Sequence, residues 1–221
     1  MWRSAKCSAV WEQPSNLDSP HNKRLQPAGH RHMMPVAEAR TLGRLAMLGL
    51  KHGINALVDH DPEWSQAFLE ERARIHSAIG KVARGIEHYG STAVDGLRAK
   101  PILDILVGVA PLEDWIKCKQ PLETLGYDYA EHAGVPGHHI FGRGRDGSER
   151  THLVHVVEFN GEPWRSNLAF RDALRADATL RAEYLRMKEQ AVILAPEGRA
   201  KYNELKHAFI EGVKDRRATP E

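Results

Sequence analysis

Cysteine is scarce. Cys7 and Cys118 are the only two in 221 residues, which excludes a disulfide framework, and their wide separation in unlike contexts excludes a thiolate metal cluster. A reducing compartment, the cytoplasm, suits such usage. Charge of one sign is missing as well: 31 Lys and Arg stand against 29 Asp and Glu, a formal net charge of +2. So small a surplus exerts no global pull toward nucleic acid, and any basic site has to be local. Long apolar runs are absent too. No stretch approaches the roughly 20 apolar residues of a membrane span, and the opening MWRSAKCSAVWEQPSNLDSP contains no apolar core of signal-peptide length. The expected product is soluble and intracellular, with no membrane partner. Histidine is plentiful at 13 residues but scattered. Within the expected domain only His138-His139 and His152/His155 lie close together, and adjacent or i+3 positions on a strand point apart, so neither pair makes a zinc clip.

The length suits one domain plus an extension. Residues 1–40 are rich in Pro, Ser, Asn and His and lack periodicity, which predicts a disordered N-terminal extension; the domain is expected over 45–215. A weak helix is conceivable over Pro35 to Leu50, followed by a lead-in strand and turn. Asp61-Pro62 supplies an N-cap and a first-turn proline for a helix from Glu63 to Ile79. In it Trp64, Phe68, Ile75 and Ile79 recur at helical spacing, with Glu70, Glu71, Arg72 and Arg74 assigned to the outer surface. Strands are expected at Val82–His88, Pro101–Val109, Tyr127–Glu131, His138–Phe141 and Thr151–Glu158, with a helix over Pro111–Leu125. The last third reads as three helices, Trp164–Ala176, Thr179–Leu194 and Glu197–Lys214. That order implies an α+β (α/β) architecture, a small mixed sheet flanked by helices.

One segment carries chemistry: Glu87 to Val109, EHYGSTAVDGLRAKPILDILVGV. Gly90 lets the backbone approach an anion because it lacks a Cβ, and Ser91 offers an N–H and a hydroxyl. Asp104, on the next apolar strand, is placed to hold a divalent cation against the same phosphate. An Asp in such a strand is equally at home as a hydrogen-bonded structural residue. Lys100, at the mouth of that strand, is within reach of a phosphate held at Gly90, and so is Arg150 ahead of the later strand. Arg171 with Arg175, and Tyr184 with Lys188, form i, i+4 ridges that could wall in an anion, although such spacing serves surface ion pairing just as well.

These motifs resemble the GrpB (UPF0157) family, whose core has the nucleotidyltransferase superfamily fold. The resemblance rests on HYGSTAVDGLRAKPILDILVGV, on ERTHLVHVVEFNGEPWRSNLAFRDALRAD and on AEYLRMKEQAV, and it runs from about Leu48 to the C-terminus. It implies a nucleotidyltransferase-like sheet and a nucleotide or other phosphate-bearing small molecule as partner, with Gly90, Ser91 and Thr92 at the phosphate. It also implies Mg²⁺ as cofactor and transfer of a nucleotidyl or related group. Active members of the superfamily carry two acids as Asp-x-Asp, since residues i and i+2 of a strand face one side. In this chain the second acid's place is taken by Leu106. Asp104 is left as the expected catalytic and metal residue. Strand parity puts either His155 or Glu158 on the site, not both, and His155 is favoured because it matches the family's Leu-His-Val position. The other reading is a domain that binds a nucleotide or anion without turnover.

Overall fold

The computed structural model describes residues 46–131, 135–144, 147–198 and 200–218. In chain order the elements are β1 (Leu50–Lys51), α1 (Glu63–Ile79), β2 (Ala83–Tyr89), β3 (Leu103–Val109), α2 (Trp115–Thr124), β4 (Asp128–Tyr129), β5 (His139–Arg143), β6 (Glu149–Arg150), β7 (His152–Glu158), α3 (Glu162–Ala176), α4 (Ala178–Leu194) and α5 (Ala200–Ala218). Short 3₁₀ turns occupy Ser91–Ala93 and Leu112–Asp114. The extension expected over 1–40 lies outside the described residues. So does most of the helix considered over Pro35–Leu50, whose last residue opens β1 instead.

The start of α1 follows from two residues. Asp61 Oδ1 accepts the Glu63 N–H at 3.1 Å and its carbonyl accepts the Trp64 N–H at 3.0 Å, while Pro62 already has helical φ and ψ of −59° and −21°. Trp64, Phe68, Ile75 and Ile79 are all buried against the sheet, each contributing about 1.5–3 kcal/mol. One assignment on this helix needs correction. Glu71, expected on the outer surface, is buried at 4% exposure. It is drawn inward because Tyr127, Arg143 and Arg74 all donate to its carboxylate, at 2.8, 2.8 and 2.7 Å. A buried carboxylate persists only when it is paired in this way.

Five strands form one sheet in the order β2-β3-β7-β5-β4, in which only β3 and β7 run parallel. The mixed sheet flanked by helices expected from the sequence is therefore the one observed. A separate two-stranded ribbon joins β1 to β6, with Leu50 opposite Arg150. That ribbon was not expected, since two-residue strands carry no readable periodicity.

Alternation along β3 divides the protein into two layers. Leu103, Ile105, Val107 and Val109 enter the main core with α1, α2, Val154 and Val156. Leu106 points the other way and packs with Tyr89, Val157 and Trp164 of α3. Gly85 and Gly108 make room there, since a Cβ on either would strike the Trp164 ring at 2.7–2.9 Å. Beyond α3, helices α4 and α5 close a second cluster that includes Val94, Leu97, Leu174, Tyr184 and Val213.

Candidate functional site

Tyr89 stands opposite Asp104 in the β2–β3 register, so the chain leaving β2 passes over the Asp104 carboxylate. Gly90 adopts φ 73° and ψ −169°, a conformation that favours glycine, and a Cβ there would collide with Asp104 Oδ2. Backbone and carboxylate thus meet at one point. Among the described residues nothing donates a hydrogen bond to Asp104. Burial pushes its carboxyl up to about 6, against the pull of the Lys206 and Lys100 ammonium groups.

Those lysines come from distant parts of the chain. Lys100 donates to Asn55 Oδ1 at 2.5 Å and lies 3.6 Å from the centre of the Tyr202 ring, while Asn55 is itself fixed by the Ala195 and Gly198 carbonyls. Lys206, on α5, is half-buried and lines a cavity with Tyr89, Gly90, Asn167, Arg171 and Tyr184. Interaction with Tyr184, then with Asp104 and Tyr202, outweighs burial and raises the Lys206 ammonium above the usual lysine range. Lys188 is fully buried one turn beyond Tyr184 and donates to the Arg98 carbonyl. Burial, then repulsion from Lys206, lowers it to about 7. The cavity at Gly90 is small, about 40 Å³, space for a few waters or a small ion and not for a whole nucleotide.

The remaining expected residues divide. Ser91 is half-buried in the turn. Thr92 is turned inward, its hydroxyl 3.0 Å from His88 Nε2, and so braces the turn and does not open toward the cavity. Arg171 lines the cavity but is engaged by Glu87 at 2.9 Å and by the His88 carbonyl at 2.9 Å. Arg175 donates to the Ala93 carbonyl at 2.9 Å. The two arginines clamp the backbone on either side of Gly90 and Ser91. Arg150 is not brought to the pocket: both terminal nitrogens bind the Asp128 carboxylate on β4, at 2.8 and 3.1 Å.

His155 lies on the Asp104 face, beside Leu106 in the β3–β7 register, whereas Glu158 faces the other side and is exposed. The His155 ring meets Tyr89 edge-on, and its Nδ1 is 3.1 Å from His138 Nδ1. Burial, followed by His138 and Lys206, pushes His155 down to about 3. Its ring is thereby held in the neutral form, which disfavours binding a phosphate as an imidazolium.

A divalent cation meets an unsuitable donor set here. Leu106 occupies the position from which a second carboxylate would reach the same ion, and it is fully buried. Glu87, across from it, is taken by Arg171. The charges acting on Asp104 are ammonium groups, which repel a metal. Among the described residues no three His, Cys, Asp or Glu side chains converge as ligands. The residues present do not fit the magnesium site implied by the superfamily resemblance.

Residues 55–216 match the family described as GrpB protein. The chain belongs to the GrpB family. Among its relatives, the Glutamate-rich protein GrpB of Alkalihalophilus pseudofirmus is 34% identical over 170 residues, covering 76% of this chain and 98% of that one. The crystal structure of the conserved protein GrpB from Enterococcus faecalis superposes with a TM-score of 0.65 at 31% identity, over 73% of this chain and 96% of that one. A fainter likeness, TM-score 0.43 and 16% identity over 62% of this chain and 43% of the other, is to the Cid1 poly(U) polymerase. The GrpB match takes in the whole pocket, from Asn55 to Ile210.

Sequence reasoning missed Tyr89 and Lys206, which line the cavity of this GrpB chain, and Asn55 and Tyr202, which hold Lys100. A signal for two of them was present. Tyr202 and Lys206 repeat the i, i+4 spacing of Tyr184 and Lys188, and both pairs turn toward the same place.

Three histidines, the buried His88 and His152 and the half-buried His155, make the stability of this GrpB fold sensitive to acid. Burial is the main cause in each case, and it lowers His88 and His155 to about 3 and His152 to about 4. The unfolded chain takes up these protons near pH 6.5 and the folded chain does not. Their contribution is therefore complete above pH 6.5 and is lost as pH falls toward 3, at about 1.4 kcal/mol per histidine per pH unit. Asp104, raised to about 6, acts with the opposite sign but offsets only one of the three. Urea unfolding at pH 7.5 and 5.5 should show a clear fall in midpoint. An unchanged midpoint would mean that these rings are not buried as neutral groups.

Proposed function

We propose that this GrpB-family protein binds the phosphate end of a nucleotide or other phosphate-bearing small molecule in the pocket at Gly90, as a binding domain and not as a two-metal transferase. The observation that carries this reading is that Lys206 lines the cavity together with Gly90, while Lys206 and Lys100 both act on the Asp104 carboxylate that Gly90 approaches. Gly90 gives the phosphate access to backbone, and Lys206 and Lys100 supply charge. Arg171 and Arg175 hold the turn in shape. The cavity admits only the phosphate end, so base and sugar rest outside it.

Calorimetry with ATP, GTP, CTP and UTP, each with and without Mg²⁺, tests the reading. Saturable binding of at least one nucleotide is the expected result. Failure of all four, and of inorganic tripolyphosphate, would remove phosphate as the ligand class.

A second reading, magnesium-assisted nucleotidyl transfer with Asp104 on the metal and His155 as base, has one observation in its favour. Among the described residues the Asp104 carboxylate has no hydrogen-bond donor, as an acid reserved for a ligand would. Binding that requires Mg²⁺ and vanishes in Asp104→Ala is the result that would select it.

A further inference from the structure

We propose that Lys206, carried on α5, takes the place of a divalent cation in this pocket, so that an anionic phosphate group is held by ammonium groups alone and Asp104 acts on Lys206 through space instead of ligating metal. The inference rests on the phosphate-site reading and adds the means by which the anion is neutralised. Three arrangements in the pocket and on its facing strand lead to it.

Lys206 lines the cavity together with Gly90, the residue whose missing Cβ brings backbone and Asp104 together. Its ammonium is thus presented to whatever enters. The environment of Lys206 also favours the charged form, and of the groups that raise it, Tyr184, Asp104 and Tyr202, Asp104 is the carboxylate. The second arrangement is Lys100, a cation held in place by Asn55 and by the face of Tyr202 on the same helix as Lys206. With Lys206 it is one of two cations acting on Asp104. Lys188 stands behind them with a proton it readily gains beside an anion. The third arrangement is the acid count on the facing strand. Leu106 lies in the core where a second carboxylate would stand, and Glu87 is spent on Arg171.

The two accounts of Asp104 differ in sign. A metal ligand is needed for binding, so Asp104→Asn abolishes it. An acid that only acts on Lys206 through space competes with the incoming phosphate for the same ammonium, so Asp104→Asn strengthens binding. Titration of the full chain with inorganic tripolyphosphate in EDTA, then in excess Mg²⁺, separates them. The wild type should bind in EDTA with no gain from Mg²⁺. Lys206→Met, which keeps the stem of the side chain, should weaken binding by about 10- to 100-fold, the worth of a hydrogen bond to a charged group. The isosteric Asp104→Asn should tighten it by about tenfold. Hydrogen exchange offers a second readout, in which tripolyphosphate should protect α5 in the wild type and not in Lys206→Met.

Binding that appears only with Mg²⁺ and is lost in Asp104→Asn overturns the inference and leaves the phosphate site standing. Binding in EDTA that is indifferent to Lys206→Met also overturns it. No binding of tripolyphosphate in either buffer defeats the underlying phosphate reading as well.

Discussion

Replacing Glu71 with alanine should cost about 3–5 kcal/mol of folding stability, because it leaves the cation of a buried pair without its partner. Glu71 is 4% exposed and joins α1 to two other elements: Tyr127, just before β4, donates to one carboxylate oxygen at 2.8 Å, and Arg143, at the end of β5, donates to the other at 2.8 Å. Arg143 is itself only 19% exposed in its side chain, so water cannot replace the lost carboxylate at little cost. Arg74 contributes less, since its side chain is 46% exposed. Burial alone would raise the Glu71 carboxyl. The Tyr127 hydroxyl and the charges of Arg143 and His152 overcome that and hold it below the usual glutamate range. A depressed carboxyl stabilises the fold above its unfolded value near 4.3 and loses that contribution as pH falls through the folded one. Urea unfolding of Glu71→Ala and Glu71→Gln measures the loss. A change below about 1 kcal/mol in Glu71→Ala, the range of exposed pairs, would show that the cluster is solvated.

Gly90→Ala should be nearly as costly and should also remove phosphate binding. Two effects combine at this position. The backbone has φ 73°, which costs an L-residue about 1 kcal/mol. The new methyl would also collide with Asp104 Oδ2 and lie 2.9 Å from Asp104 Cβ, and forced overpacking adds about 1–3 kcal/mol. The internal control is Gly96, which has the same φ of 73° but nothing within 4 Å of its virtual Cβ. Gly96→Ala should show the backbone cost alone and keep full tripolyphosphate affinity. If the two variants unfold and bind alike, the close approach of Gly90 to Asp104 has no consequence for stability or ligand.

Both residues show how far a linear reading reaches. Glu71 was placed outside because it sits among Glu70, Arg72 and Arg74, and local charge density ordinarily marks a solvated face. Its burial depends on Tyr127 and Arg143, partners that helical periodicity cannot reveal. Gly90 was recognisable because a glycine next to a serine after an apolar strand is a local pattern with a local physical cause. Parity allows only one of His155 and Glu158 on the Asp104 face, the family's Leu-His-Val pattern favours His155, and it lies there. Its chemistry was not readable, since the ring's neutrality comes from burial and from His138 on a different segment. Arg150 illustrates the opposite failure. Its position before a strand suggested a ligand contact, but Asp128 on the sheet edge takes both of its terminal nitrogens.

The sequence by itself determined the local elements and their faces: the capped helix from Glu63, the glycine turn, the strand that presents Asp104 and Leu106 to one side, and membership in a recognisable family. Those features depend on neighbours within a few residues, where backbone geometry dictates which side chains share a face. Only the tertiary structure decided what meets Asp104. It brings Lys206 from the last helix and Lys100 from the loop before β3 to the place where a metal ion was expected. The reason is physical. Coulomb interactions and desolvation depend on distance in space and on what has been excluded from water, so the role of a lone carboxylate is set by the groups folded against it and not by those beside it in the chain.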